Sequence, residues 1–283
     1  MLDLLALERV GDNQFRTAWV GEKPAALFGG QLAAQALRAA AATVAADRHP
    51  HSLHGYFLSR GDISRRVLLS VHRDRDGSCY SNRRIIASQD GAVIFDMVAS
   101  FHVPEPGQDY QARQIPRVAG PDGLPSFVSR MVRGVDIRVP EQPDPGQRRP
   151  SRVWLRSTHP LPDDITQACA LAYVSDIFSG LVRVPGATNS TPRRSIDHAV
   201  WIYRKVALDD WVLADLHPES TFGGRGMYTG QIFASDGTLA AGIAQESLFR
   251  PRPPRAGPLA DGDPKVVATC SAAAQRCQPD ARS

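Results

Sequence analysis

The sequence predicts an α+β fold built twice on one plan, each copy an antiparallel sheet wrapped around a single long helix. Three observations carry that expectation. The chain has 283 residues, about twice an ordinary domain, which suits two domains or one domain doubled. Short segments recur at a nearly constant offset. Each half holds one long apolar stretch without strand alternation, followed by several short alternating segments that turn signals separate.

The recurrence is the strongest of the three. Ser52-Leu53-His54 resembles Ser195-Ile196-Asp197-His198, an offset of 143 residues. Val67-Leu68-Leu69-Ser70-Val71 resembles Trp211-Val212-Leu213-Ala214-Asp215-Leu216, an offset of 145. Ile85-Ile86-Ala87-Ser88-Gln89-Asp90-Gly91 resembles Ile232-Phe233-Ala234-Ser235-Asp236-Gly237, an offset of 146.

Within each copy the elements come in one order. A short strand opens it, at 15–20 and at 153–157. A long helix follows, at about 30–46 and about 164–181. The first helix is almost entirely Ala and Leu, with Arg38 its one charge. Alanine favours the helix and lets a sheet approach closely. A helix apolar on every side must be wrapped. The strands then alternate, with turns at Asp74-Arg75-Asp76-Gly77, Asp90-Gly91 and Asp236-Gly237. One central helix held by an antiparallel sheet is a hot-dog arrangement, and two on one chain make a double hot-dog. The expected domains are 1–105 and 151–250. A Pro-rich, polar linker spans 106–150, and a tail at 251–283, rich in Pro, Ala, Arg and Asp, is expected to be mostly disordered.

Composition narrows the function classes. Hydrophobic residues are 42% and charged residues 22% of the chain, enough for a sizeable core. No run of 18 apolar residues occurs, so no membrane-spanning helix is expected. The N-terminus has acids among its leucines and no basic stretch, unlike a secretory signal. A net charge of +4 argues against a dedicated nucleic-acid binder. The 33 basic residues include only three lysines, a skew that fits base composition of the coding sequence better than an arginine-specific role. Four cysteines, Cys79, Cys169, Cys270 and Cys277, form no Cys-x-x-Cys pair and are too sparse for a disulfide framework or a zinc site. These features fit a cytosolic protein without metal or cofactor.

Several residues are candidates for chemistry. Asp176 is the only charge after Asp164 in the second apolar helix, among Ala172, Tyr173, Ile177 and Leu181. A carboxylate there is expensive unless partnered, which makes it either a functional group or a solvent-exposed end. Ser195-Ile196-Asp197-His198 invites a Ser-His-Asp reading. Ser195 and His198 point to opposite faces of one strand, however, and the Gly-x-Ser-x-Gly turn is missing. His198 therefore reads as a packed or surface histidine, and Asp197 as a structural partner. Gln245 stands in the last strand where the repeat places Ala99, an amide in place of a methyl. Phe28-Gly29-Gly30-Gln31 opens the first helix, as a tight turn or as a close approach to a ligand.

Taken together these segments resemble the type II acyl-CoA thioesterases, double hot-dog enzymes of the TesB kind. The resemblance rests on Leu27-Phe28-Gly29-Gly30-Gln31, His51-Ser52-Leu53-His54-Gly55-Tyr56-Phe57-Leu58 with Gly61-Asp62, and Arg75-Asp76-Gly77. It continues through Ala99-Ser100-Phe101, Tyr173-Val174-Ser175-Asp176, Ser195-Ile196-Asp197-His198 and Gln245-Glu246. It covers roughly residues 1–250 and stops at the tail.

What the resemblance implies is a thioester hydrolase acting on fatty acyl-CoA, with an Asp, a Thr or Ser and a Gln around one water. The matching positions are Asp176, Ser195 and Gln245. Serine at the middle position is a mild departure, since threonine is common there. Asp176 would take a proton from water, Ser195 and Gln245 would hold that water, and no metal or covalent intermediate would be needed. The implied partner is an acyl-CoA substrate; the family is often oligomeric, which leaves room for a homo-oligomer. Three rivals remain at this point: a hot-dog dehydratase, which would want a His in a central helix, a thioesterase specialised for a biosynthetic acyl thioester, and a non-catalytic acyl-CoA-binding module.

Overall fold

Alternation in the strands sends every second side chain inward, and the two apolar segments have nowhere to go except beneath them. The computed structural model describes residues 1–18, 20–21, 27–129, 132–143, 149–185 and 190–251. The tail expected to be disordered, with Cys270 and Cys277, lies outside the described residues.

The elements, in chain order, begin with a short helix α1 (Leu2–Leu5), strands β1 (Leu7–Gly11) and β2 (Gln14–Thr17), and helix α2 (Gly29–Ala41). Strands β3 (His49–Phe57), β4 (Leu68–Asp76), β5 (Tyr80–Gln89) and β6 (Ala92–His102) complete the first half. Then come β7 (Val135–Arg138), β8 (Arg152–Ser157), helix α3 (Asp164–Val174), a 3-10 turn (Gly180–Arg183) and β9 (Ser190–Ser195). The chain closes with β10 (Asp197–Ile202), β11 (Val212–Phe222), β12 (Arg225–Ala234) and β13 (Leu239–Pro251). Strand β7 falls inside the 106–150 segment expected as a linker and pairs with β8 at one edge of the sheet.

One sheet of order β1-β2-β4-β5-β6-β3-β10-β13-β12-β11-β8-β7 runs through both halves, with β9 added on β13. Its middle is the seam between the copies. There β3 and β10 pair antiparallel, Leu53 opposite Val200 and His54 opposite Ala199. These are the segments that resembled one another in the sequence. Moving outward, β6 and β13, β5 and β12, β4 and β11, and β2 and β8 occupy matching places. The tandem repeat has become a two-fold arrangement. The hot-dog architecture, α+β and doubled, is the one the periodicity predicts.

The two helices lie under this sheet, side by side and antiparallel. The start of α2 meets the end of α3, since a Cβ on Gly30 would fall 2.4 Å from the Tyr173 carbonyl oxygen. At the other end Arg38 donates to Thr166 Oγ1 at 3.3 Å and pairs with Asp163, the N-cap of α3, at 3.7 Å. Opposed helix dipoles suit this placement. Ala33, Ala34, Ala36, Leu37, Ala39 and Ala40 are fully buried, so α2 is wrapped as its composition demands. Both helices are shorter than expected. α2 stops at Ala41, and α3 stops at Val174 with Ser175 as C-cap.

Each helix ends on a hydroxyl that turns back on the chain. Thr43 Oγ1 donates to the Ala40 carbonyl at 2.7 Å, and Ser175 Oγ lies 2.8 Å from the Ala172 carbonyl. In the first half a buried arginine closes that corner: Arg83 Nε donates to Thr43 Oγ1 at 2.9 Å and Arg83 Nη2 to Asp76 at 2.7 Å. In the second half the corner is made differently, and the candidate residues gather there.

Candidate active site

The early stop of α3 is what creates the site. Asp176 was expected on the helix; it lies just beyond the helix end, where the chain is free to turn its carboxylate toward the neighbouring elements. Tyr228, on β12, donates its hydroxyl to the Phe178 carbonyl at 3.2 Å and fixes this turn from the side. Ser195 is the last residue of β9, and Gln245 lies within β13, to which β9 is paired through Ser195 and Ser247.

The structure brings all three sequence-predicted residues together. Gln245 Nε2 donates to Asp176 Oδ1 at 3.0 Å and to Ser195 Oγ at 2.5 Å. Gln245 is buried, with 3% of its surface exposed, so its amide is committed to this cluster. The strand registers explain why only one half has it: Tyr228 stands opposite Gln245 where Arg83 stands opposite Ala99.

The first half contributes the other wall. Helix α2 begins after Phe28, which offers no side-chain cap, so its first N–H groups need an outside acceptor. The Gly30 N–H favours the ionised form of Asp176. The Asp176 carboxylate thus stands against the start of a helix of the opposite copy. The glycines permit this approach: a Cβ on Gly29 would sit 2.6 Å from Asp176 Oδ2 and 2.9 Å from Phe57 Cζ. In the sequence these glycines left a tight turn and a close approach equally open; the close approach is what forms, and it is to a protein carboxylate.

Burial pushes the Asp176 carboxyl above its usual range, although His198, the Gln245 amide, the Gly30 N–H and Ser195 all pull the other way. A carboxylate with a raised affinity for protons and fixed donors beside it is suited to general-base work. It opens into a cavity of about 450 Å³ lined on its apolar side by Leu27, Phe28, Leu32, Phe57 and Ile177. Arg60 and Arg194 line the same cavity.

The Ser-His-Asp alternative does not form. His198 Nε2 faces Ser175 Oγ at 2.7 Å, not Ser195. Asp197 accepts the Glu246 backbone N–H at 2.7 Å, a structural role. Among the described residues no group of three His, Cys, Asp or Glu side chains is placed to hold a metal ion. No helix among them is long and apolar enough to cross a membrane. Cys79 and Cys169 are free thiols, the latter buried and pushed up to about 12. Sequence reasoning missed His198 beside Asp176 and the backbone of Gly30. Neither leaves a local signal, because both reach the site through contacts between distant segments.

Comparison with known proteins bears on the family. Residues 17–102 match the model of the acyl-CoA thioesterase N-terminal domain, and residues 109–249 that of the C-terminal domain. The chain is 32% identical over 278 residues to acyl-CoA thioesterase 2 of Haemophilus influenzae, covering 88% of this chain and 96% of that protein. It is 31% identical over 284 residues to human acyl-coenzyme A thioesterase 8, covering 88% of each. A crystal structure of acyl-CoA thioesterase II TesB2 from Mycobacterium marinum superposes with a TM-score of 0.76 at 36% identity, over 88% of this chain and 98% of that one. A tandem sheet around two antiparallel helices, and similarity along nearly the whole described length, lead to one conclusion: the chain belongs to the acyl-CoA thioesterase family of the TesB kind.

Proposed function

We propose that this protein hydrolyses fatty acyl-CoA to free fatty acid and CoA, using a water held by Asp176, Ser195 and Gln245 of the C-terminal hot-dog. The observation that carries this reading is the convergence of the three side chains beside a cavity that Asp176 and Ser195 line, with Gln245 Nε2 bridging the two.

In this reading the Asp176 carboxylate accepts a proton from water as the oxygen attacks the thioester carbonyl carbon. Ser195 and the Gln245 amide orient that water, which removes most of its freedom before reaction. The tetrahedral intermediate collapses by breaking the C–S bond. Asp176 returns its proton to the departing thiolate, giving CoA thiol and a carboxylic acid. The N-terminus of α2 supplies positive partial charge where negative charge builds up. The acyl chain lies along Phe28, Leu32, Phe57 and Ile177, side chains with no polar group to solvate.

CoA release from short-, medium- and long-chain acyl-CoA tests the reading, with Asp176→Asn measured alongside. Release that depends on chain length and collapses in Asp176→Asn supports it. Release that survives the substitution removes Asp176 as base. Tight acyl-CoA binding without release from any chain length replaces the hydrolase with a binding module.

A further inference from the structure

We propose that His198 is a positioning residue for this hydrolysis: a proton on its Nδ1 is donated to Gln245 Oε1, and this turns both amide hydrogens of Gln245 toward Asp176 and Ser195. The proposal rests on the hydrolytic reading above.

Two buried polar atoms without partners point to it. His198 Nδ1 and Gln245 Oε1 are both buried, and neither has a hydrogen-bond partner within ordinary distance. Buried polar atoms seldom stay unpaired, because each has given up water. The two belong together. His198 and Gln245 are 1% and 3% exposed, and they stand on paired strands next to the facing Ala199 and Ala244. The amide orientation is consistent with this. Its NH2 group is spent on Asp176 and Ser195, so the oxygen is the atom left to meet His198.

The other ring nitrogen does not need the proton. Nε2 lies 2.7 Å from Ser175 Oγ. That hydroxyl has both Nε2 and the Ala172 carbonyl within reach, so it can donate to either. A proton on Nδ1 gives both orphans a partner; a proton on Nε2 alone leaves two lone pairs facing one another. Burial favours the uncharged ring, although Asp176, the Gln245 amide and Asp197 oppose it. A neutral ring has one proton, and the geometry assigns it to Nδ1.

The consequence falls in the catalytic cycle. While Asp176 is ionised it holds the amide by itself. Once Asp176 has taken the proton from water, it becomes a donor and would welcome the amide oxygen. His198 holds that oxygen away, so the NH2 group stays on the side where the next water must bind.

Two substitutions separate the ring nitrogens. Asparagine places its amide nitrogen near the position of Nδ1, and glutamine places its own near that of Nε2. The expected result is that His198→Gln lowers kcat about 10- to 100-fold, as for a misplaced catalytic group, with KM for acyl-CoA within about twofold. His198→Asn is expected to keep kcat within about threefold of the parent. Equal losses in both variants, or the reverse order, would assign His198 a merely structural role and overturn the proposal. Nitrogen NMR of the unsubstituted protein labelled in histidine gives a second answer that does not depend on variants folding. A protonated Nδ1 supports the proposal and an unprotonated Nδ1 overturns it. Asp176→Asn in the same assay keeps the two levels apart. Full activity there sinks the hydrolytic reading itself; a dead Asp176→Asn beside a fully active His198→Gln sinks only the positioning role.

Discussion

Gly29 and Asp176 come from opposite halves of the chain, yet a Cβ on Gly29 would lie 2.6 Å from Asp176 Oδ2. Real Cβ atoms do not approach an oxygen that closely. The site therefore depends on a missing side chain in one hot-dog as much as on a carboxylate in the other.

Gly29→Ala is expected to displace the Asp176 carboxylate, with Phe57 at 2.9 Å blocking a shift of α2 the other way. Displacements of this order lower rate by up to about 100-fold. Gly29 has no positive φ to lose, so the stability cost should be that of overpacking alone, about 1–3 kcal/mol. Steady-state kinetics and a melting curve on the same preparation check both halves of the expectation.

The pH dependence follows from Asp176. Its folded-state pKa lies above the ordinary value, so with Asp176 as the proposed base kcat/KM should fall on the acid side with an apparent pKa above that of a free aspartate. The stability sign is opposite. A raised carboxyl pKa stabilises the fold below the unfolded pKa, and that contribution is lost as pH rises through the folded pKa. At neutral pH the ionised Asp176 is thus a burden. Asp176→Asn should abolish turnover while raising Tm, by about 2–4 °C for each kcal/mol relieved.

Arg152 and Asp215 join β8 to β11 in a two-pronged contact, Nε to Oδ1 at 3.0 Å and Nη2 to Oδ2 at 3.1 Å. Burial raises the Asp215 pKa, but His217 and Arg152 outweigh it and hold the carboxyl below its usual range. A depressed pKa gives stability above the unfolded pKa that disappears as pH falls through the folded one. Asp215→Ala should cost about 3 kcal/mol at neutral pH, since it strands a largely buried guanidinium. Urea melts of parent and variant should converge as the pH drops below that of ordinary carboxylates.

Arg83 is 1% exposed and holds the end of α2 through Thr43, with further bonds to Asp76 and to the Arg75 and Asn82 carbonyls. Arg83→Leu removes a donor from each of those acceptors, Asp76 keeping only Ser81, and should destabilise by about 3 kcal/mol. Because the corner it closes is the one without the candidate site, the folded fraction should retain its kcat. A chemical melt combined with activity at low temperature distinguishes this from an active-site effect.

The repeat was legible because it is written in local pattern. Leu53 and Val200, or the turns at Gly91 and Gly237, are recognisable from neighbours a few residues away, and their spacing already implies two copies of one sheet. Asp176 stood out for the same reason, as a charge in an apolar run. Its place did not follow from that run. Helical periodicity extends through Asp176 in the sequence, whereas the helix ends at Val174. His198 read as a packed or surface histidine. Nothing within ten residues of it reports Ser175 or Gln245 as a neighbour.

By itself the sequence determined the alternation of the strands, the two apolar helices, the doubling, and the side-chain types able to activate a water. These depend on period and composition, which are local properties of the chain. The tertiary structure decided that β3 pairs with β10, that α2 lies antiparallel to α3, and that the glycine start of α2 in one copy lies against Asp176 of the other. Those are contacts between residues about 145 positions apart, set by which buried polar groups can satisfy one another once the two sheets have closed over their helices.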